Sequence, residues 1–288
     1  MMTDFKNITI LGSGLLGGSL ALAAANHTQQ IRLWARKQET VTTALTLGIP
    51  GVTGNLAEAV KDADLVILAV PVGAMEKLLM SALEAGLPDG CLVTDVGSVK
   101  RVPHQKIAPL LAGRNIRFIG SHPMAGSEKN GLSAVSATLF QNAACILTND
   151  ERAPADQSAA LECFWKSLGC RTSWMSASTH DALVARISHL PHLIAASAAR
   201  VCLQDPGKGR FGGGGLRDTT RVAAGNPSMW AEIIIENREA LIGPLQETIT
   251  DLREILSALE SGNSSQAESW LTIAKQRRDP LNSAHQPF

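Results

Sequence analysis

Gly12-Ser13-Gly14-Leu15-Leu16-Gly17 constrains this chain more than any other stretch of it. The β-branched and apolar run from Asn7 to Leu11 precedes the glycines, and an Ala/Leu-rich stretch to Ala25 follows them. They therefore sit in a tight turn between a strand and a helix. Gly12 permits that turn, Gly14 lets backbone N–H groups approach an anion, and Gly17 lets the helix lie close to the sheet. The helix N-terminus adds partial positive charge. A turn without a ligand is the plainer alternative, but the strand-turn-helix context is the one in which Gly12 to Gly17 cradle a dinucleotide pyrophosphate.

Further short apolar runs follow at Ile31 to Ala35, Leu65 to Val70 (ended by Pro71), Leu92 to Val96, Arg117 to Ile119 and Cys145 to Thr148, most of them separated by helical patterns. This alternation predicts an α/β fold, a Rossmann-type parallel sheet covered on both faces. Val70 and Pro71, at the end of the third strand, are expected to border the dinucleotide. From about Ser178 the pattern becomes long helical stretches, 179–202, 226–260 and 265–278, with Ser178-Thr179-His180-Asp181 as an N-cap region and 205–215 as the longest irregular segment. With 288 residues, the chain is expected to hold two domains, a dinucleotide-binding domain at 1–177 and an all-α domain at 178–288. Residues 226–260 are apolar on more than one face, which predicts a homodimer through the helical half.

Lys plus Arg equals Asp plus Glu at 26 each, so no overall field draws the protein to nucleic acid or to an anionic membrane. No signal peptide or membrane-spanning run is legible, and a cytoplasmic protein is expected. There is no tyrosine, which excludes dehydrogenases that transfer protons through a Tyr-Lys pair. Five cysteines without a CxxC pair predict neither a disulfide nor a zinc site, and no metal is expected.

Where NAD-selective proteins carry an acidic residue after the second strand, this chain has Trp34-Ala35-Arg36-Lys37. Arg36 and Lys37 would attract a 2′-phosphate, favouring NADP over NAD, although a solvated basic turn has the same composition. Thr94 to Lys100 and Gly120 to Gly126 both fall at the sheet edge where ligands of open α/β folds bind. His122 there is placed to take a hydroxyl proton as hydride leaves carbon. Arg221, in Leu216-Arg217-Asp218-Thr219-Thr220-Arg221, offers a fork for a carboxylate.

Taken in order, GxGxxG, DVGSVK, GSHPMAGSE, ISHLPH, LRDTTRVA and NPSMW resemble the prephenate/arogenate dehydrogenase family across essentially the whole chain. The resemblance implies oxidative decarboxylation of a cyclohexadienyl carboxylate on the way to tyrosine, with no covalent nucleophile. It implies His122 as the catalytic histidine and Ser98 as the group orienting the substrate hydroxyl and the nicotinamide. His192 and Arg221 would bind substrate carboxylates. Glu128, Arg217 and Asp218 would form an ionic network at the mouth of the site, partly across a dimer, and Trp230 would pack near the substrate. Arg217 reads equally as a surface cation at a helix start, and Trp230 as ordinary core. Prephenate and arogenate are left open, and neither a mutase segment nor a regulatory domain is expected. A β-hydroxyacid dehydrogenase is the rival enzyme, disfavoured because no lysine lies around His189 and His192; an NADP-sensing protein without turnover is the rival of another class.

Overall fold

The computed structural model describes residues 4–125 and 131–283. Two compact units are present, Met1–Arg238 and Glu239–Phe288.

The first unit is built on a six-stranded sheet of β1 (Asn7–Leu11), β2 (Gln30–Trp34), β3 (Val52–Thr53), β4 (Leu65–Leu68), β5 (Leu92–Asp95) and β6 (Arg117–Phe118), in the order β3-β2-β1-β4-β5-β6 and parallel throughout. The chain order reverses between β1 and β4, so the crevice for a ligand opens beyond the carboxyl ends of these two strands. Both β4 and β5 are buried along their whole length, as a sheet covered on two faces requires. Their alternate side chains feed separate cores. Ile8, Ile10, Leu33, Leu65 and Ile67 pack with Leu20 of α1 (Leu15–Ala24), whereas Val66, Leu68 and Val93 pack with Met75 and Leu79 of α4 (Val72–Glu84) and Ile107 of α5 (Arg101–Leu111). Each such fully buried aliphatic side chain contributes about 1.5–3 kcal/mol. Two short helices, α2 (Gln38–Thr46) and α3 (Leu56–Val60), connect β2 to β3 and β3 to β4.

A second sheet of three strands follows: β7 (Gly120–Pro123), β8 (Ala144–Thr148) and β9 (Arg171–Trp174), in the order β7-β8-β9. The sequence reading needs correction here. His122 lies on β7, antiparallel to β8, instead of at the edge of the main sheet after the run Arg117 to Ile119, and the run Cys145 to Thr148, expected as a further strand of that sheet, is the middle strand of this separate one. One residue, Ile119, joins β6 to β7; it is fully buried and its N–H still bonds to Val93 of β5. α6 (Ala155–Ser167) covers the second sheet, and its Leu161, Phe164 and Trp165 join the core that contains Ile8 and Ile10.

The expected helix at 179–202 is α7 (Ala177–Val184), a turn of π-helix at Ala185–His189, and α8 (Leu190–Cys202). Ser176, not the 178–181 segment, caps α7, accepting the Thr179 N–H. The segment read as irregular contains 3-10 turns at Pro206–Phe211 and the short α9 (Gly214–Thr220). The expected helix at 226–260 divides at Asn237 into α10 (Pro227–Glu236) and α11 (Arg238–Glu260). In the second unit, α11 and α12 (Ser264–Ser283) are the helices, and α11 exposes Ile242, Ile249, Leu252, Leu256 and Leu259. Among the described residues no helix is long and apolar enough to cross a membrane.

Candidate active site

A cleft of about 570 Å³ opens at the carboxyl ends of β1, β4 and β5. On one side it is lined by Gly14, Leu15 and Leu16 at the start of α1, by Val70 and Pro71 after β4, and by Gly97 and Ser98 after β5. Gly12 has φ +125°, and a Cβ there would stand 2.3 Å from the Ala69 carbonyl oxygen; one on Gly17 would stand 1.8 Å from the Gly12 carbonyl oxygen. These two glycines are therefore required by the turn itself. Gly14 differs, because a Cβ on it would meet no protein atom within 4 Å and would instead intrude on the cleft. It is the N-cap of α1, with no side chain capping the helix and no acidic residue in the first turn. Backbone N–H groups at this helix start are thus left for an anion, and the residues present fit a dinucleotide pyrophosphate.

The opposite wall carries Ser188, His189, Arg221, Met229, Trp230 and Glu232. The Glu232 carboxylate accepts the Gly73 N–H at 2.7 Å, tying α10 to the start of α4. Trp230 stacks on His192 with ring centres 3.6 Å apart and 9° between planes, and it lies over Gly225, where a Cβ would come within 2.4 Å of the indole nitrogen.

His122 lies between the two walls, with buried polar groups behind it. Its Nδ1 is 2.8 Å from Nε2 of His180, whose own Nδ1 is 2.8 Å from Oδ1 of Asp181. Asp181 also accepts the N–H groups of Lys100 (2.7 Å) and Arg101 (3.0 Å), the N-cap and first residue of α5. Lys100 is fully buried with its ammonium on the Asp95 carboxylate, which also accepts the Gly97 and Ser121 N–H groups. Asn237, at the break between α10 and α11, donates through Nδ2 to the Asp181 carbonyl at 2.9 Å and to His189 Nδ1 at 3.0 Å.

Burial makes the charged form of His122 costly and, together with His180, Lys100 and His189, holds its pKa well below the ordinary histidine value. Burial likewise lowers His180, and it lowers His189 to about 4. For Asp181, burial pushes upward but the His180 and backbone hydrogen bonds outweigh it, so the carboxyl is held below its usual range. A neutral imidazole faces the cleft, and the nearest fixed negative charge in its chain of hydrogen bonds is Asp181.

Residues 19–174 match the model of the prephenate dehydrogenase nucleotide-binding domain, and residues 176–275 that of the prephenate dehydrogenase dimerization domain. The chain is 38% identical to the cyclohexadienyl dehydrogenase of Zymomonas mobilis, covering 90% of each protein.

The chain belongs to the prephenate dehydrogenase family.

Other relatives include the prephenate dehydrogenase of Bacillus subtilis, 33% identical over 97% of this chain and 77% of that protein. Among solved structures, a prephenate dehydrogenase from Aquifex aeolicus in complex with hydroxyphenyl propionate and NAD+ superposes with TM-score 0.85 at 27% identity, covering 96% and 98% of the two chains. Synechocystis arogenate dehydrogenase superposes with TM-score 0.78, also at 27% identity, covering 96% and 99%.

Several residues singled out from the sequence share the cleft: Gly14, Leu15, Leu16, Val70, Pro71, Ser98, His122, Arg221 and Trp230. Gly12, Ser13 and Gly17 shape the turn behind it. Arg36 and Lys37 are exposed at the carboxyl end of β2, which the Gly12 N–H to Trp34 carbonyl bond holds beside the glycine turn. Arg217 and Asp218 are exposed on α9 and do not line the cleft, and Glu128 lies outside the described residues.

His192 is also off the cleft lining, behind Trp230, and of the two histidines in the Ser-His-Leu-Pro-His run it is His189 that lines the cleft. Its Nδ1 accepts from Asn237, so its proton is on Nε2, a buried donor without a partner among the described residues. The sequence reading gave no place in the site to His180, Asp181, His189 or Asn237, taking the first two only as part of a helix cap. Only the Ser-His-Leu-Pro-His run signalled one of them, by offering two candidate histidines three apart.

Proposed function

We propose that this protein oxidises and decarboxylates prephenate, arogenate or both, with NADP as hydride acceptor, in tyrosine biosynthesis. The observation that carries the reading is His122, a neutral imidazole lining the same cleft as the uncapped start of α1 and Arg221. The family membership supports the reaction class, and the basic pair Arg36 and Lys37 supports NADP over NAD.

The bound dinucleotide supplies a hydride acceptor at its nicotinamide ring. His122 takes the proton of the ring hydroxyl at Nε2 as the carbon bearing it is oxidised, and Ser98 orients that hydroxyl. Arg221 holds a substrate carboxylate as a fixed cation, and His189 offers its unpartnered Nε2–H to a second polar group of the acid. Loss of the ring carboxylate as CO2 is driven by aromatisation, so these residues have mainly to align the ring and keep water out. His192 supports the substrate site through Trp230, and Arg217, Asp218 and Glu128 are proposed to act at its mouth. The protein works as a cytoplasmic homodimer, with residues 178–288 as its substrate-binding and dimerisation part; the apolar stripe on α11 and the dimerization-domain match support that assembly.

The test is the formation of reduced dinucleotide by purified protein offered prephenate and arogenate separately, each with NADP and with NAD. Turnover of either acid, lost in His122→Asn while the dinucleotide still binds, is the expected result. Silence with both acids and both dinucleotides overturns the reading.

A further inference from the structure

The hydrogen bonds behind His122 permit only one arrangement of protons. Asp181 accepts two backbone N–H groups at the start of α5 and is ionised, so it can only accept from His180. His180 must then carry its proton on Nδ1, which leaves Nε2 as a lone pair. Across the next 2.8 Å, His122 must therefore donate from Nδ1, which leaves its own Nε2 unprotonated. All three side chains are buried, so water does not scramble this order.

We propose that His180 and Asp181 are positioning residues that hold the proton of His122 on Nδ1, so that the nitrogen left for the substrate hydroxyl is always the basic one, and that they share the positive charge once His122 is protonated. The proposal rests on His122 being the base. When the hydroxyl proton arrives on Nε2 of His122, the proton between its Nδ1 and Nε2 of His180 is shared by the two rings. One positive charge then lies on the histidine pair, next to the Asp181 carboxylate, and the Nδ1 proton of His180 stays on its hydrogen bond to Oδ1. Without this arrangement the imidazolium would form in a pocket whose burial and buried Lys100 both oppose it.

A purely structural His–Asp pair would cap α5 and fill space, with no bearing on the His122 ring. Two variants separate the cases. In His180→Gln the amide oxygen can still accept from His122 Nδ1 and its N–H₂ can donate to Asp181, but the amide cannot take charge. In His180→Phe the ring volume is kept and the acceptor is lost.

The experiment is nitrogen NMR of histidine-labelled wild type loaded with dinucleotide, with His122 and His180 assigned from single-site variants, followed by steady-state kinetics of both His180 variants. The expected spectrum has Nδ1 protonated and Nε2 bare on both residues. The expected kcat order is wild type, then Gln, then Phe, with Phe down by about a hundredfold or more and dinucleotide affinity unchanged. A proton on Nε2 of His122 in the wild type overturns the proposal even if neither variant folds, and so does a Phe variant as fast as wild type. Retained turnover in His122→Asn would instead remove the underlying reading of His122 as the base, leaving the measured protonation pattern as it stands.

Discussion

At the scale of single residues, burial of His122 decides its pH behaviour. With His122 as the proposed base, activity requires the neutral ring, so rate is expected above its pKa and is lost as pH falls through it. Burial, His180, Lys100 and His189 lower that pKa, while Asp181 and Asp95 face the histidine pair from α7 and β5 and temper the effect on His180. The acid limb of kcat is accordingly expected below 6.5, and an inflection at that ordinary value in a pH–rate profile would contradict the account. Arg36→Ala should raise the KM for NADP on the order of tenfold, the worth of a hydrogen bond to a charged group, and leave that for NAD nearly unchanged. Equal effects on both would remove the 2′-phosphate role. Gly12, Gly14 and Gly17 were legible in the sequence because their constraint is local. His180 and Asp181 were not, because a His-Asp pair near a helix start resembles a cap, and its partners Lys100 and Arg101 lie about eighty residues away.

At the scale of elements, the π-helical turn at Ala185–His189 and the break at Asn237 fix the wall opposite the dinucleotide. One extra residue in a helical turn rotates everything after it, so the helical period alone could not tell which of His189 and His192 reaches the cleft. Asn237 joins the two features by bonding both His189 and the Asp181 carbonyl. Asn237→Ala should cost about 1–3 kcal/mol in urea unfolding, because it leaves buried acceptors unsatisfied, and should weaken binding of the acid by freeing the His189 tautomer. Gly225→Ala drives a Cβ into Trp230, so the KM for the acid should rise while that for the dinucleotide holds; a change confined to the dinucleotide would place Trp230 outside the acid site. Strand β7 escaped sequence reading because a four-residue Gly-Ser-His-Pro segment has turn composition, and only its pairing with β8 makes it a strand.

At the scale of the whole molecule, the main sheet followed from alternating strand and helix patterns, since a parallel sheet buried on both faces shows continuous apolar runs, except for its edge strand β3, whose two residues are too short to leave a pattern. The second sheet did not, since its order mixes an antiparallel and a parallel pair. The stripe Ile242, Ile249, Leu252, Leu256 and Leu259 follows helical spacing, and leaving it in water is unfavourable by about 25 cal/mol per Å². The wild type is expected to sediment as a dimer and a Leu252→Glu, Leu256→Glu double variant as a monomer; a variant that keeps the dimer's mass would move the interface elsewhere.

The single buried residue between the two sheets sets a parity rule for His122, the proposed base. Along β7, Ser121 turns to Trp165 and Thr94 while His122 turns to His180, so neighbouring positions serve opposite faces. Adding or deleting one residue at Ile119 would exchange those faces, sending the imidazole into the core and a serine toward the dinucleotide. Two residues would restore the facing but displace the ring by a full strand repeat. Relatives that keep this chemistry are therefore expected to tolerate length variation in the loops around the cleft and none at this joint.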